Sequence, residues 1–167
     1  MNTFDAEKAV EAILYIAQKE PDLFHVLKAF FFADKYHLAN YGRQITGDNF
    51  VAMSHGHVPS AIYDIIKFVR GDGYYDMDDS VKEAFKVTDH TTITPRRDPY
   101  LNYLSESDIE ALENGIAQVH GRSFDELSEM CKNEPSYSEA DSSGYIPLTA
   151  IVLSLENGEE LFEYMTE

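Results

Sequence analysis

The chain has one cysteine, Cys131, and no tryptophan. A lone thiol forms no internal disulfide, and a cage of cysteines around a metal ion is excluded. Long apolar runs are also missing: no stretch approaches the roughly 18 consecutive apolar residues that cross a bilayer. The opening residues Met1-Asn2-Thr3-Phe4-Asp5-Ala6-Glu7 carry neither a basic region nor an apolar signal core, so the expectation is a cytoplasmic protein with no membrane partner. Basic residues are scarce. Thirteen Lys and Arg stand against 30 Asp and Glu, a net charge of −17. Proteins that grip nucleic acid neutralise its phosphates with lysine and arginine, so direct nucleic-acid binding is not expected. A surface of this charge steers basic protein partners by long-range attraction, or serves solubility alone.

What is present is enough for a folded interior. Hydrophobic residues make up 44% of the 167, with 11 Tyr and 10 Phe among them, which argues against disorder and fits one domain. Helical spacing of Ala6, Ala9, Val10, Ile13, Leu14 and Ala17 predicts a first helix from Asp5 to Lys19, capped by Thr3 or Asp5. A second helix runs from Pro21 to Tyr41 and stops at Gly42; the short link predicts an antiparallel helical hairpin. Gln44-Ile45-Thr46 and Phe50-Val51-Ala52-Met53 flank Gly47-Asp48-Asn49, a pattern that predicts a β-hairpin. Pro59 opens a third helix that ends at Gly71, and an acidic linker follows from Asp72 to Asp79. Ser80–Phe85 reads as a short helix, and Phe85–Thr88 with Thr91–Thr94 as a second hairpin. Ser105 with Asp108, and Ser123 with Glu126, are spaced as capping boxes opening two further helices. A polar loop from Asn133 to Gly144 precedes a last apolar helix begun by Pro147, and the tail from Asn157 adds an acidic turn. The expected fold is mainly α with minor β: a single compact domain of about five or six helices with one or two small β-hairpins.

Three features could carry chemistry. Asp34 places a carboxylate on an apolar helix face, where it must be paired or protonated; it is either a general base or, in the favoured reading, a structural group that holds Arg43 or caps a neighbouring helix. His37 on the same helix is read with it as a buried structural polar residue. His55-Gly56-His57, with Asp34, His37 and Asp48 nearby, could chelate a metal, but the spacing is unspecific and a tight turn into the third helix explains it better, so no metal site is assigned. Ser54 or Ser60 beside these histidines and Asp64 supplies the residue types of a hydrolase triad without its defining geometry. No nucleophile elbow, phosphate-binding loop or dinucleotide fingerprint is present, so neither an enzyme nor a cofactor is expected. Arg96-Arg97, and Lys67 with Arg70, are the only local concentrations of positive charge.

The run from Lys28 to Met53, KAFFFADKYHLANYGRQITGDNFVAM, resembles the Panacea family of SocA-like antitoxin domains. It has the family's lysine-led apolar helix ending in an aromatic–Ala–Asp step, then a glycine turn and a short hairpin. Gly56-His57-Val58-Pro59 stands where the family has a Gly-Pro-Val turn, so His57 departs from the pattern. Tyr103-Leu104-Ser105-Glu106 and Phe124-Asp125-Glu126-Leu127-Ser128, followed by Glu134-Pro135, continue the likeness, which covers about residues 6 to 153. The domain is expected over residues 1–156, with an acidic tail at 157–167. The resemblance implies an antitoxin that binds and neutralises a protein toxin encoded nearby, by direct inhibition or as an adaptor delivering the toxin to a host protease. The alternative is an acidic DNA mimic or phage counter-defence protein that occupies a host enzyme. Candidate partner-binding residues are His55, Gly56 and His57 in the turn, Arg43 and Asp48 near the hairpin, and Asp76, Asp78 and Asp79 in the linker.

Overall fold

A computed structural model describes residues 3–167. In chain order the elements are α1 (Ala6–Ala17), α2 (Leu23–Tyr41), β1 (Phe50–Met53), β2 (Gly56–Pro59), α3 (Ser60–Arg70), α4 (Val81–Ala84), β3 (Phe85–Thr88) and β4 (Thr92–Pro95). They continue as α5 (Glu106–Val119), α6 (Phe124–Lys132), β5 (Tyr145–Ile146), α7 (Leu148–Leu153) and α8 (Gly158–Thr166), with 3-10 turns at Leu101–Tyr103 and Pro135–Glu139. The class is the expected one, mainly helical with small antiparallel sheets. Eight α-helices are found among the described residues; α4 is a single turn, and α8 occupies the tail where one turn was expected. No described helix is long and apolar enough to cross a membrane.

The axis of the fold is α2. Twelve of its 19 residues are buried, so apolar surface covers most of its circumference and other elements must enclose it. The Asp22 carboxylate caps it by accepting from the backbone N–H of Phe24 and His25 at 3.0 and 3.2 Å, and Gly42 in the left-handed conformation ends it. Its main neighbour is α5 and not α1, so the expected α1–α2 hairpin is a minor contact. The reason is Gly115 on α5, which lets the two backbones approach closely at Ala29. Both capping boxes form in full, at Ser105–Asp108 and Ser123–Glu126.

The first hairpin forms with a different partner from the one expected. Phe50–Met53 pairs antiparallel with Gly56–Pro59 across a turn at Ser54-His55, and on its other edge with Tyr145–Ile146. Gln44-Ile45-Thr46 is not a strand, because its hydrogen bonds go elsewhere. Ile45 N–H and the Gln44 amide donate to Asp34, and Thr46 C=O accepts from Asp5 N–H at 2.9 Å. The second hairpin, β3–β4, forms as expected, turning through Asp89 and His90, both with positive φ. In the tail, Leu161 is buried, and the Asn157 side chain donates to Ala39 C=O at 3.0 Å.

Candidate functional site

The polar residues that α2 carries inside the fold form two clusters. At its N-terminal end Lys28 is 1% exposed, a long cation pulled wholly out of water. Its Nζ donates to His57 C=O at 2.7 Å and meets His55 Nδ1 at 3.2 Å, and among the described residues no carboxylate pairs with it. Burial holds its pKa down to about 8. His57 is fully buried, stacked on Phe31 with ring centroids 3.9 Å apart. Its Nε2 meets Ser136 Oγ at 2.9 Å, while Nδ1 has no partner among the described residues. Burial, with the charges of Lys28 and Lys35, pushes its pKa down to about 3. Gly56, at φ 113°, is pressed against α6: a Cβ there would lie 2.4 Å from Cys131 Cβ. Cys131 is itself fully buried, its thiol pKa raised by burial. His55 packs edge-on against Phe24 and closes the cluster from outside.

The second cluster lies farther along α2. Asp34 accepts from Ile45 N–H at 2.8 Å and from the Gln44 amide at 3.2 Å, and burial pushes its pKa up to about 7. Arg43 does not pair with it. The Arg43 guanidinium instead reaches Asp108 at 3.1 Å and Gln44 C=O at 2.9 Å. His37 is fully buried; its Nδ1 bonds Arg43 C=O at 2.8 Å and its Nε2 bonds Ser107 Oγ at 2.9 Å. The carbonyl fixes the tautomer with the proton on Nδ1, and burial holds the ring neutral by lowering its pKa. Asp48 caps α3 from a distance, accepting from the N–H groups of Ala61 and Ile62 at 2.9 and 2.8 Å. Pro59 at the head of that helix has no side chain able to do this, so the anion comes from the preceding loop. Burial nevertheless pushes the Asp48 pKa up to about 6.

The expected partner residues fall at different depths in the fold. Gly56, His57 and Asp48 are interior, held there by Cys131, Phe31 and the α3 N–H groups. His55 is half-buried, Arg43 is part-exposed but tied to Asp108, and Asp76, Asp78 and Asp79 are exposed between α3 and α4. The triad reading fails on geometry. Neither Ser54 nor Ser60 bonds a histidine among the described residues; the serines that do are Ser107, at His37, and Ser136, which sequence reasoning missed. It lies 79 residues from His57, and no local pattern announces the pair. With Nδ1 unpartnered and the ring pKa near 3, His57 has neither the orienting carboxylate nor the basicity of a general base.

The Lys28 cluster makes a stability prediction. The folded-state pKa is lowered, so the native protein holds fewer protons than the unfolded chain between about pH 8 and the ordinary lysine value of about 10.4, and stability rises with pH across that window. Lys28→Met removes that proton. The variant is therefore expected to gain on the wild type below about pH 8 and to lose that relative advantage toward about pH 9.5. Urea denaturation of both proteins at the two pH values checks it; a gap independent of pH would contradict the buried, unpaired cation.

Fold and clusters together define a mainly helical domain whose interior polar groups are engaged in holding its own segments in place. A family model described as antitoxin SocA-like, Panacea domain, matches residues 26–137, and the chain belongs to that family. The match is narrower than the resemblance read from sequence: it starts within α2, ends at Tyr137, and takes in the polar residues of both clusters. No curated protein and no solved structure matches the chain.

Proposed function

We propose that this protein is an antitoxin that works by binding, in the cytoplasm, a protein toxin encoded by a neighbouring gene. The observation that carries the reading is the family match over residues 26–137. Its charge supports a protein partner with a basic face: the net charge is −17, and eight of the 13 Lys and Arg side chains are engaged in ion pairs within the chain. Neutralisation follows either by covering the toxin's working surface or by handing the toxin to a host protease.

Co-expression with the adjacent reading frame tests this. Expression of the neighbour alone is expected to arrest growth; co-expression of this chain restores it, and the two proteins copurify. A steady toxin level during rescue indicates direct inhibition, whereas a toxin level that collapses, and recovers when a host protease is deleted, indicates an adaptor. A harmless neighbour that does not copurify would sink the antitoxin reading and bring forward occupation of a host enzyme by an acidic mimic.

A further inference from the structure

The expected partner residue Asp78 borders a cleft of about 540 Å³ between α1, α4 and the 3-10 turn at Leu101–Tyr103. We propose that this cleft receives a positively charged segment of the partner protein, anchored on its floor by an apolar or aromatic side chain. The proposal rests on the antitoxin reading above and names the surface and chemistry by which it would act.

The floor is apolar, made by Val10, Ile65, Met77 and Val81. Tyr100 and Tyr103 stand beside it, 53% and 42% exposed, and Leu101 between them in sequence is 53% exposed. Three large side chains left in water on one short turn are the residue types that anchor protein interfaces, and they extend the surface beyond what a small ligand would cover. They are also held in place. The buried Glu11 carboxylate accepts from Tyr100 N–H at 2.7 Å and from both Arg97 Nη atoms at 2.8 Å, and the guanidinium lies 3.9 Å from the Tyr100 ring centroid. An aromatic face fixed before binding loses little entropy when it docks.

Charge decides what fits. Arg97 is the one cation lining the cleft among the described residues, and Glu11 neutralises it. Around the opening lie Glu7, Asp78 and Glu83, all exposed and none in an ion pair among the described residues. Asp78 is oriented by accepting from Ser80 N–H at 2.8 Å, which holds its carboxyl below the ordinary aspartate range. Three unpaired carboxylates over an apolar, tyrosine-walled floor are complementary to Lys or Arg side chains flanking an apolar anchor, with the tyrosine faces available for cation–π contact.

The test uses the full chain and the purified product of the adjacent gene. The cleft variant carries Asp78→Lys and Glu83→Lys; the control carries Glu129→Lys and Glu163→Lys, the same change in net charge on α6 and α8. The cleft variant is expected to bind roughly tenfold more weakly or worse, with the control close to wild type and both keeping the wild-type melting temperature. Equal losses in both would mean that binding follows net charge, and unchanged binding in the cleft variant would remove the cleft while leaving the antitoxin reading intact. If the wild type does not bind, the antitoxin reading falls and the cleft is judged by a second probe, a synthetic amphipathic peptide of arginine, leucine and tryptophan titrated with NMR detection. Shifts at Met77, Tyr100 and Tyr103, lost in the cleft variant, uphold it. Shifts elsewhere or nowhere, or an equal response to arginine amide alone, overturn it.

Discussion

Replacing Gly115 by valine is expected to destabilise the protein by about 3 kcal/mol or more, enough to lower its melting temperature by roughly 6–12 °C. In an exposed helix the same change would gain from the better helix propensity of a residue with a side chain. Here a Cβ on Gly115 would lie 2.3 Å from Ala29 C=O and 3.1 Å from Ala33 Cβ. Both neighbours belong to the middle of α2, whose backbone cannot move aside without shifting the phenylalanines around it. Even alanine forces the two helices apart, and valine adds two methyl groups to the same collision. Thermal denaturation followed by circular dichroism measures the effect. A melting temperature within about 2 °C of wild type would show that the α2–α5 contact is not as close as described, since overpacking against backbone cannot be absorbed so cheaply.

The second large effect is expected at Asp108, which is 1% exposed and pairs with two cations from distant parts of the chain. Lys8 of α1 reaches it at 2.8 Å and Arg43, just beyond α2, at 3.1 Å, while the neutral His37 ring lies 3.6 Å away. The same carboxylate accepts from Ser105 N–H at 2.8 Å to complete the capping box of α5. Burial alone would raise its pKa, but the bonds from Lys8 and Ser105 outweigh burial and hold it below the ordinary value. Asp108→Ala leaves a half-buried ammonium without a partner and opens the helix cap, an expected loss of about 3–5 kcal/mol. Adding Lys8→Met should recover part of that loss, because the stranded charge goes with it; strictly additive losses in the double variant would contradict the pairing. The pH sign follows from the lowered pKa. The contribution of Asp108 is present above about pH 4 and is lost as pH falls through the folded-state value, so the gap between variant and wild type should narrow in acid.

Helices and their ends were legible from sequence because their bonds are local. The Ser105–Asp108 and Ser123–Glu126 boxes span three residues each, and the structure forms both bonds of both boxes. Phe50–Met53 was legible as a strand, but its partners were not. Gln44-Ile45-Thr46 looked suitable beside a glycine turn, yet one carboxylate from α2 takes the polar groups that a ladder would need. The two-residue β5 is too short to carry any alternation, and it pairs only because the chain returns about 95 residues later to the free edge of β1. In the candidate clusters, Asp34 and His37 stood out as polar residues on an apolar helix. Lys28 gave no such sign, since a lysine at a helix start normally extends its stem to reach water.

Composition and short-range pattern alone determined that the chain has no internal disulfide, that it is strongly acidic, that it is mainly helical, and where most helices begin and stop. The family likeness was also carried by contiguous residues, from Lys28 to Met53, and the match over 26–137 includes them. Tertiary structure decided which strand meets Phe50–Met53, that Lys28 and His57 share one dry compartment, and that Glu11 fixes Tyr100 beside a cleft with an acidic opening. The physical reason is range. Helix bonds and caps join residues three or four apart, so their partners are written beside them. Burial, pairing and clefts join residues tens of positions apart, and which of them meet depends on how all the apolar faces are covered at once.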